Sequence, residues 1–229
     1  MIKILLIEDD EACAYTTQGG LELIGVYDVV LAKNGEEGWL LYTQENPDVI
    51  VTDIDMPLMN GFELVKKIRA IDSSVIIIME TGKTSPKDVV DSFNMGVDDY
   101  IKKPFVADEL HVRIQSILKK TEKLSSKSIN FSTILSIGNY QLDVSEKTLE
   151  LRRQKFKLTA READLLKFLH DNKNTLISKE KILTSFWDNT DNFASRSLDV
   201  FISKLRKYLS KDPNIKITTI RGEGIIMEV

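Results

Sequence analysis

Cysteine, histidine and long hydrophobic runs are scarce in this chain of 229 residues, and each shortage excludes a class of protein. The single cysteine, Cys13, excludes an internal disulfide framework and a zinc site built from cysteines. The two histidines, His111 and His170, have no neighbour at the spacing of metal ligands. No apolar stretch approaches the roughly 18 residues of a membrane span, and the amino terminus has no signal-peptide pattern. We therefore expect a soluble protein of the cytoplasm.

Charge is plentiful but unevenly distributed along the chain. Residues 1–122 contain 12 Lys and Arg against 22 Asp and Glu, a net charge of −10, whereas residues 123–229 contain 19 against 13, a net charge of +6. Length and charge together indicate two domains with different partners. The basic half is a candidate for binding nucleic acid, because neutralised phosphates supply much of the affinity of such proteins. A basic face that is merely solvated has the same composition, so charge alone does not decide.

Four short apolar runs in the acidic half end in residues that carry chemistry. In chain order the terminal residues are Glu8 with Asp9, Asp53, Glu80 with Thr81, and Lys103 before Pro104. Runs of this length, bounded by turn signals and separated by helix-like stretches, are typical of buried parallel strands. With a further strand over residues 28–32, five strands alternate with five helices, which predicts a doubly wound α/β fold. Because ligands bind at the carboxyl ends of such strands, we expect the terminal side chains to converge.

The helices of this half are predicted from caps, apolar periodicity and breakers. One covers residues 11–24 and should be loosened or kinked by the glycine pair at 19–20. Another covers residues 86–94, with a serine cap and a proline at the first helical position. The last covers residues 107–121. The Ser- and Lys-rich residues 122–133 that follow are predicted to form a linker.

Residues 134–229 carry a different pattern, that of a small sheet, three helices and a hairpin. Four short strands are predicted between residues 134 and 158, separated by turn-like residues. The segment Thr159–Glu162 is a capping box that opens the first helix, and Ser178 caps the second. The third helix, over residues 195–209, has one apolar and one polar face, and a glycine-bounded hairpin follows it. This order predicts a winged helix-turn-helix domain of the α+β class.

The predicted cluster of acids suits phosphoryl chemistry. Mg²⁺ prefers oxygen ligands and is held by one or two carboxylates with waters and phosphate oxygens, for which Glu8, Asp9 and Asp53 suffice. Asp53 is the best candidate for a nucleophile, because it ends a central strand beside a loop and a metal can neutralise the reacting groups. Lys103 would supply a cation and Thr81 a hydroxyl to phosphoryl oxygens. Any one of these acids also has a simpler interpretation, as the cap of a neighbouring helix.

Residues 1–121 resemble the receiver domain of two-component response regulators, whose fold is flavodoxin-like. The matching segments are Ile7–Asp9, Asp53–Pro57, Gly61, Glu80–Lys83 and Asp98–Phe105. The resemblance implies that Asp53 accepts a phosphoryl group from a phosphohistidine on a sensor histidine kinase. It also implies that Mg²⁺ is held by Asp9, Asp53, the backbone carbonyl of Asp55 and, through water, Glu8.

The same resemblance assigns roles to residues beyond the acids. Thr81 and Tyr100 would be the switch pair, Thr81 moving to the phosphoryl group and Tyr100 turning inward. Lys103 would bind the phosphoryl oxygens, and the peptide bond between Lys103 and Pro104 would be cis, an isomer that proline makes accessible. Receivers of this branch dimerise through their last two helices and last strand. The residues predicted for that dimer interface are Asp99, Glu109 and Arg113.

Two positions depart from the pattern of the receiver family. Glu80 stands where an apolar residue is common, and its charge close to Asp53 would weaken phosphoryl binding or disturb the switch. Val89 replaces a basic residue that pairs with Glu109, so we expect one ion pair between subunits to be missing. Exposed ion pairs contribute only about 0–1 kcal/mol, so the dimer would survive on packing and the remaining pairs.

The basic half resembles the effector domain of the OmpR/PhoB family. The matching segments are Leu158–Leu166, Ile177–Leu183, Trp187, Ser195–Lys207 and Thr219–Gly224. An α-helix fits the major groove of DNA, where the helix over residues 195–209 would present its polar face. The predicted DNA-binding residues are Arg196, Ser197, Val200, Ser203, Lys204, Arg206 and Lys207 on this helix, with Thr219 and Arg221 on the hairpin.

Individual contacts with DNA follow from residue type. Arg196 and Ser197 would hold phosphates, and Val200 would touch a thymine methyl group. Lys204 would reach a base edge or a phosphate, and Arg221 would enter the minor groove. For this helix taken alone, an amphipathic surface helix with solvated lysines is the simpler alternative.

Departures in this domain affect the expected output. Ser203 occupies a position that is often basic, which implies fewer direct contacts and a different affinity or sequence preference. The pair Ile225–Ile226 replaces the aromatic residue that usually follows the second glycine of the hairpin. Residues 188–194 form the loop with which related activators touch RNA polymerase, although the composition of this loop does not show such a role.

These observations predict a transcriptional regulator that binds DNA under the control of phosphorylation, acts as a homodimer on paired half-sites, and has no dedicated enzymatic turnover. Two alternatives stay open. The segment Asp53–Asp55 resembles the aspartate pair of haloacid-dehalogenase-type phosphatases, although that pair normally ends the first strand and no cap domain is visible. The other alternative keeps DNA binding but makes the receiver a dimerisation module indifferent to phosphate, which Glu80 and Val89 favour.

Overall fold

A computed structural model of the protein describes residues 1–82, 95–126, 134–187 and 192–229. These fold as two compact units, Met1–Gln115 and Ser116–Val229. The helix predicted over residues 86–94, Val89 within it, and residues 188–191 of the predicted polymerase loop lie outside the described residues. In the ranges that the structure does describe, no helix is long and apolar enough to cross a membrane.

The first unit is a parallel sheet of five strands with helices packed on it. Its strands are β1 (Ile2–Ile7), β2 (Tyr27–Ala32), β3 (Val49–Asp53), β4 (Ile76–Thr81) and β5 (Asp99–Lys102). Its helices are α1 (Glu11–Leu23), α2 (Gly35–Glu45), α3 (Gly61–Arg69) and α4 (Ala107–Ser126), which continues past Gln115. The strand order is β2-β1-β3-β4-β5 with every pair parallel. This order is that of a flavodoxin-like doubly wound sheet, so the predicted fold class is confirmed.

The central strands are buried on both faces. Successive side chains of a strand point to opposite faces, yet residues 4–7, 49–52 and 76–81 are buried without exception. Helix α1 is continuous through its two glycines. A Cβ atom at Gly20 would lie only 2.5 Å from the Cβ of Ala107 on α4. The glycine therefore permits close packing between α1 and α4.

The sheet brings the carboxyl ends of four strands to one edge. In the register of the sheet Ile7 lies beside Thr52, Asp53 beside Glu80, and Thr81 beside Lys102. The polar residues that end β1, β3, β4 and β5 are therefore neighbours across the sheet. The predicted convergence of these strand ends is confirmed.

The second unit contains two antiparallel sheets and three helices. Its strands are β6 (Ile134–Ile137), β7 (Tyr140–Asp143), β8 (Thr148–Leu151), β9 (Gln154–Lys157), β10 (Ile177–Ser178), β11 (Lys216–Ile220) and β12 (Gly224–Glu228). Its helices are α5 (Ala160–Asp171), α6 (Lys179–Phe186) and α7 (Asn192–Leu209). One sheet has the order β6-β7-β8-β9 and the other the order β10-β12-β11. The winged helix-turn-helix arrangement is as predicted, with β10 as an additional strand.

Helix caps in this unit follow the sequence closely. The backbone N–H of Glu162 donates to Thr159 Oγ1 at 3.3 Å, and the backbone N–H of Thr159 donates to Glu162 Oε2 at 3.0 Å. This reciprocal pair is the predicted capping box at the start of α5. Ser178 caps α6 by accepting from the backbone N–H of Lys181 at 3.2 Å. Both helices begin where the sequence predicts.

Two predicted boundaries are wrong. Helix α4 ends at Ser126, five residues beyond its predicted end, and the linker over residues 122–133 stays a prediction as a domain boundary. A segment of five residues is too short for apolar periodicity in the sequence to mark it as helical. Helix α7 begins at Asn192 and not near Ser195, since its first turn lies ahead of the apolar periodicity that marked the helix.

Candidate functional site

Three carboxylates meet at the carboxyl ends of β1 and β3. Oxygen atoms of Glu8, Asp9 and Asp53 all lie within 4.8 Å of one another. Glu8 is buried, Asp53 is half-buried and Asp9 is exposed, so the cluster opens to solvent on one side. Asp10 is different, since its side chain accepts from the backbone N–H of Cys13 at 3.0 Å and caps α1. Helix capping therefore accounts for one of the acids after β1 and leaves a cluster of three.

The backbone around Asp53 is fixed by close packing with the start of α3. The carboxylate Oδ1 of Asp53 accepts from the backbone N–H of Ile54 and, at 3.3 Å, from that of Asp55. Gly61 donates its N–H to the carbonyl oxygen of Ile54 at 3.0 Å. A Cβ atom at Gly61 would lie 2.1 Å from the carbonyl oxygen of Asp53. Only glycine can therefore bring α3 this close to Asp53 without displacing it.

Lys103 closes the cluster from β5. Its ammonium forms ion pairs with the carboxylates of Glu8 and Asp53, and its Nζ lies 3.5 Å from Glu80 Oε2. Burial lowers the pKa of Lys103, but hydrogen bonds to Asp53 and Glu8 and the charge of Glu80 outweigh it and raise the pKa above its ordinary value. The backbone N–H of Lys103 also donates to the carbonyl of Thr81 at 2.8 Å. The peptide bond from Lys103 to Pro104 is cis, as predicted.

Glu80 points into the protein beside this ammonium. Its side chain is 1% exposed, and neither carboxylate oxygen has a hydrogen bond within the ranges that the structure describes. Burial, together with the nearby charges of Glu8 and Asp53, raises the pKa of Glu80 to about 8, although Lys103 opposes the shift. The orientation of Glu80 had been open in the sequence. The structure thus adds a fourth carboxyl group to the interior side of the site.

The two predicted switch residues are both buried. Thr81 ends β4 at 1% exposure, and Tyr100 on β5 is 5% exposed. In the register of the sheet Tyr100 lies beside Met79, two residues before Thr81. The structure therefore brings the pair to adjacent strands, and their switching role stays a prediction.

The donor set of the cluster suits a hard cation. Three carboxylates with one ammonium provide oxygen donors and an excess of negative charge, the combination that divalent cations with a preference for oxygen require. Cys13 lies near the same cluster, where burial and the charge of Glu8 raise the pKa of its thiol to about 11. A protonated thiol is a poor metal ligand, so Cys13 does not extend the set. In the sequence, the indication that Cys13 lies near this cluster is its position four residues after Asp9.

The three residues predicted for the dimer interface form one cluster within a single chain. Arg113 Nη1 lies 3.6 Å from Asp99 Oδ1, and Arg113 Nη2 lies 2.9 Å from Glu109 Oε1. Asp99 is buried, whereas Glu109 is exposed. The interface itself stays a prediction.

The polar face predicted for α7 is partly wrong. Ser203, Arg206 and Lys207 are exposed, and Arg196 is half-exposed, as expected of residues that meet DNA. Two residues placed on the same face are instead buried, with Ser197 at 1% and Val200 at 7% exposure. Helical periodicity orients a face only to within about one residue, and contacts from other parts of the domain decide its edges.

Lys204 is held by a buried acid and does not extend into solvent. Its Nζ lies 2.9 Å from Glu162 Oε1, with the Lys204 side chain 16% and the Glu162 side chain 2% exposed. Tyr208 donates its hydroxyl to Glu162 Oε2 at 3.4 Å. The residue that caps α5 thus also anchors α7. As placed, Lys204 is an internal ion-pair partner, which contradicts its expected position on the free polar face.

The hairpin residues predicted to meet DNA are arranged around Arg206. Arg206 Nε donates to the carbonyl of Ile217 at 2.7 Å, and its Nη2 donates to Thr219 Oγ1 at 2.8 Å. Arg221 is exposed in the turn between β11 and β12. The structure therefore joins the exposed end of α7 to the hairpin and leaves Arg221 at the tip.

A five-stranded sheet with an acidic cluster and a lysine at its carboxyl edge, followed by a winged helix with a basic exposed helix, defines the class of receiver-containing DNA-binding regulators. Comparison with known proteins agrees with this class. The family model described as "Response regulator receiver domain" matches residues 4–115, and that described as "Transcriptional regulatory protein, C terminal" matches residues 153–227. The chain belongs to the OmpR/PhoB family of two-component response regulators and is a transcriptional regulator.

Relatives along the full length support this assignment. The transcriptional regulatory protein RprY of Bacteroides fragilis is 35% identical over 223 residues, covering 97% of this chain and 93% of the relative. The transcriptional regulatory protein PrrA of Mycobacterium leprae is 30% identical over 228 residues, covering 99% and 96%. Among solved structures, the response regulator DrrB, an OmpR/PhoB homolog of Thermotoga maritima, is 26% identical, with a TM-score of 0.52 and full coverage of both chains.

Proposed function

We propose that transfer of a phosphoryl group to Asp53, from a phosphohistidine of a sensor histidine kinase, controls DNA binding by this protein. The observation that carries the proposal is the ion pair that Lys103 forms with both Asp53 and Glu8 at the open end of the sheet. An ammonium beside a half-buried carboxylate is suited to stabilise oxygen charge that builds up on an attached phosphoryl group.

In the proposed reaction a carboxylate oxygen of Asp53 attacks phosphorus. The new O–P bond forms as the P–N bond of the donor breaks, and the leaving imidazole takes up a proton. The ammonium of Lys103 stabilises the negative charge of the transferred phosphoryl group. The hydroxyl of Thr81, at the end of β4, donates a hydrogen bond to the phosphoryl oxygens. Glu8, Asp9 and Asp53, with the backbone carbonyl of Asp55, would hold Mg²⁺, which supplies neutralisation of the phosphoryl charge when bound.

The output follows from the basic unit. Phosphorylation would favour a conformation in which Thr81 and Tyr100 engage the modified site, and this conformation would dimerise through Asp99, Glu109 and Arg113. Two tethered winged helices then bind paired half-sites in double-stranded DNA with a raised effective concentration. We expect a protein with this role to act in the cytoplasm. Its chemistry would be phosphoryl transfer to Asp53, without catalytic turnover of a substrate.

One observation favours a second candidate function, a DNA-binding regulator indifferent to phosphate. Glu80 adds a buried carboxyl group to the site, which disfavours another negative group there. The phosphatase interpretation of Asp53–Asp55 has no comparable support, because Asp53 ends the third strand and not the first.

The experiment that decides is DNA affinity measured with and without Mg²⁺ and beryllofluoride, a phosphoryl analogue. The proposal expects tighter binding to a DNA with paired half-sites when both are present. Asp53→Asn should abolish both this gain and labelling by a small phosphodonor, while Asp28→Asn, at an exposed position on β2, serves as the matched control that leaves a label on Asp53. Equal affinity in all conditions would support the phosphate-indifferent function, and label that survives in Asp53→Asn would overturn the assignment of the acceptor.

A further inference from the structure

Glu80 occupies a place in the site that the proposed chemistry does not use. It precedes Thr81 on β4 and lies beside Asp53 of β3 and Ile101 of β5 in the register of the sheet. With 1% exposure its carboxyl group is removed from water, and the ammonium of Lys103 lies 3.5 Å from its Oε2. Burial of a carboxyl group with so few compensating contacts costs free energy. The group that Glu80 can influence directly is the ammonium of Lys103.

The ammonium of Lys103 is shared among three carboxyl groups. An ammonium has three N–H donors and no acceptor. Glu8 and Asp53 form direct ion pairs with it from β1 and β3, and Glu80 faces it from β4. Lys103 therefore donates hydrogen bonds to two carboxylates and has a third carboxyl oxygen 3.5 Å away.

These partners differ in which side of the ammonium they occupy. The side chain of Asp53 is 14% exposed and that of Lys103 is 19% exposed, whereas Glu80 is almost fully enclosed. A phosphoryl group added to Asp53 would extend toward the open side, where Asp53 and Lys103 are partly exposed and Asp9 is exposed. Glu80 then provides the ammonium with an oxygen partner on the interior side, while the phosphoryl oxygens attract the ammonium outward.

We propose that Glu80 is a positioning residue that retains the Lys103 ammonium on the buried side of the site and thereby shortens the life of the phosphoryl group on Asp53. This inference rests on the proposed function, because it concerns the stability of phosphorylated Asp53. Glu80 does not touch the phosphoryl group and acts only through Lys103. The carboxyl group gives the protein a phosphorylated state that decays sooner than that of the same site without it.

The test compares the half-life of the phosphoryl label in the wild-type chain, Glu80→Gln and Glu80→Met, after labelling by acetyl phosphate with Mg²⁺ and removal of the donor. Methionine fills similar space without an acceptor, and we expect it to lengthen the half-life by about threefold to tenfold, the effect of one charge-assisted contact made at long range. Glutamine keeps a neutral acceptor and should give an intermediate half-life. Glu22→Gln, at an exposed position on α1, should leave the half-life unchanged.

A second measurement separates positioning from other roles. Mg²⁺ affinity of the unphosphorylated variants should change by less than about threefold, because a positioning residue leaves the ligands in place. A loss of about tenfold or more would make Glu80 a cation ligand and overturn the proposal. Half-lives that agree within twofold, or that shorten in Glu80→Met, would overturn it as well.

An incorrect role for Glu80 and an incorrect assignment of Asp53 as the phosphoryl acceptor would give different results. If the phosphorylated site is wrong, the wild-type chain takes no label or the label persists in Asp53→Asn. If only the role of Glu80 is wrong, Asp53 is labelled normally and the order of half-lives, wild type below glutamine below methionine, is not observed. Thermal unfolding of each variant checks that differences in half-life do not follow differences in fold stability.

Discussion

Replacement of Lys204 by methionine should destabilise the effector domain and leave its salt-dependent contacts with DNA unchanged. The substitution keeps most of the aliphatic stem and removes the ammonium that lies 2.9 Å from Glu162 Oε1. Among the residues that the structure describes, Glu162 would then be a buried carboxylate that retains the backbone N–H of Thr159 at 3.0 Å and the hydroxyl of Tyr208 at 3.4 Å. The structure thus predicts an effect on folding where resemblance to the family predicts an effect on DNA.

The magnitude follows from the burial of the pair. Removing one partner of a buried ion pair typically costs about 3–5 kcal/mol. Two remaining hydrogen bonds to Glu162 offset part of this loss, so we expect about 2 kcal/mol. For a domain of this size, each kcal/mol lowers the melting temperature by about 4–8 °C, which predicts a decrease of roughly 10 °C in Lys204→Met.

Lys207→Met is the matched control, one helical turn away on the exposed face of α7. Calorimetry of the full chain gives the effector transition, and fluorescence anisotropy of labelled DNA across a range of salt concentrations gives the number of phosphate contacts. Lys207→Met should keep its stability and lose about one unit of salt slope if it faces a phosphate. Lys204→Met should lose stability and keep its salt slope. A Lys204→Met protein with unchanged melting temperature and a smaller salt slope would refute the reasoning.

Three further predictions concern the acid site and the DNA face. The pKa of Glu80 is about 8 in the folded chain and near 4.5 in the unfolded one, so Glu80 ionises first in the unfolded state and the stability of the receiver, measured in chelator, should fall as pH rises from about 5 to 8. Glu80→Gln should remove roughly 3 kcal/mol of this fall. Equal calorimetric pH profiles for the two proteins would contradict this prediction. Gly61→Ala should slow phosphoryl labelling of Asp53 at least about tenfold, because the new Cβ would lie 2.1 Å from the Asp53 carbonyl; labelling at the normal rate would show that α3 can move away. Arg196→Ala should weaken binding to all DNA sequences alike and flatten its salt dependence; unchanged binding would remove Arg196 from the phosphate contacts.

Local signals in the sequence predicted the elements and their caps well. The capping box of Thr159 and Glu162 involves residues three apart, so its chemistry is complete within the segment that displays it. The strand ends at Asp53 and Thr81 were visible for a similar reason, since apolar runs stop where polar residues begin. The convergence of these strand ends could be predicted because it requires only that the strands be parallel and adjacent.

What the sequence did not predict depends on neighbours distant along the chain. The ion pair between Lys204 and Glu162 joins residues 42 positions apart, and helical periodicity alone could not show which acid would meet the lysine. Val200 is buried for the same kind of reason. Strand β10 has two residues, too few for any periodicity, and exists through its pairing with β12. The inward orientation of Glu80 contradicts its polarity and could not be inferred from residue type.

Arg206 has a consequence for the length of DNA that one domain can read. Its two hydrogen bonds, to the carbonyl of Ile217 and to the hydroxyl of Thr219, fasten the exposed end of α7 to β11. The predicted contacts of α7 and Arg221 with DNA would then be made by one connected unit, with a fixed distance between the groove that receives the helix and the groove that receives Arg221. Insertion of a single base pair between these two contacts would displace one of them by a full step along the duplex. The proposed binding mode therefore predicts that the protein sets the spacing within a half-site and that spacing can vary only between half-sites.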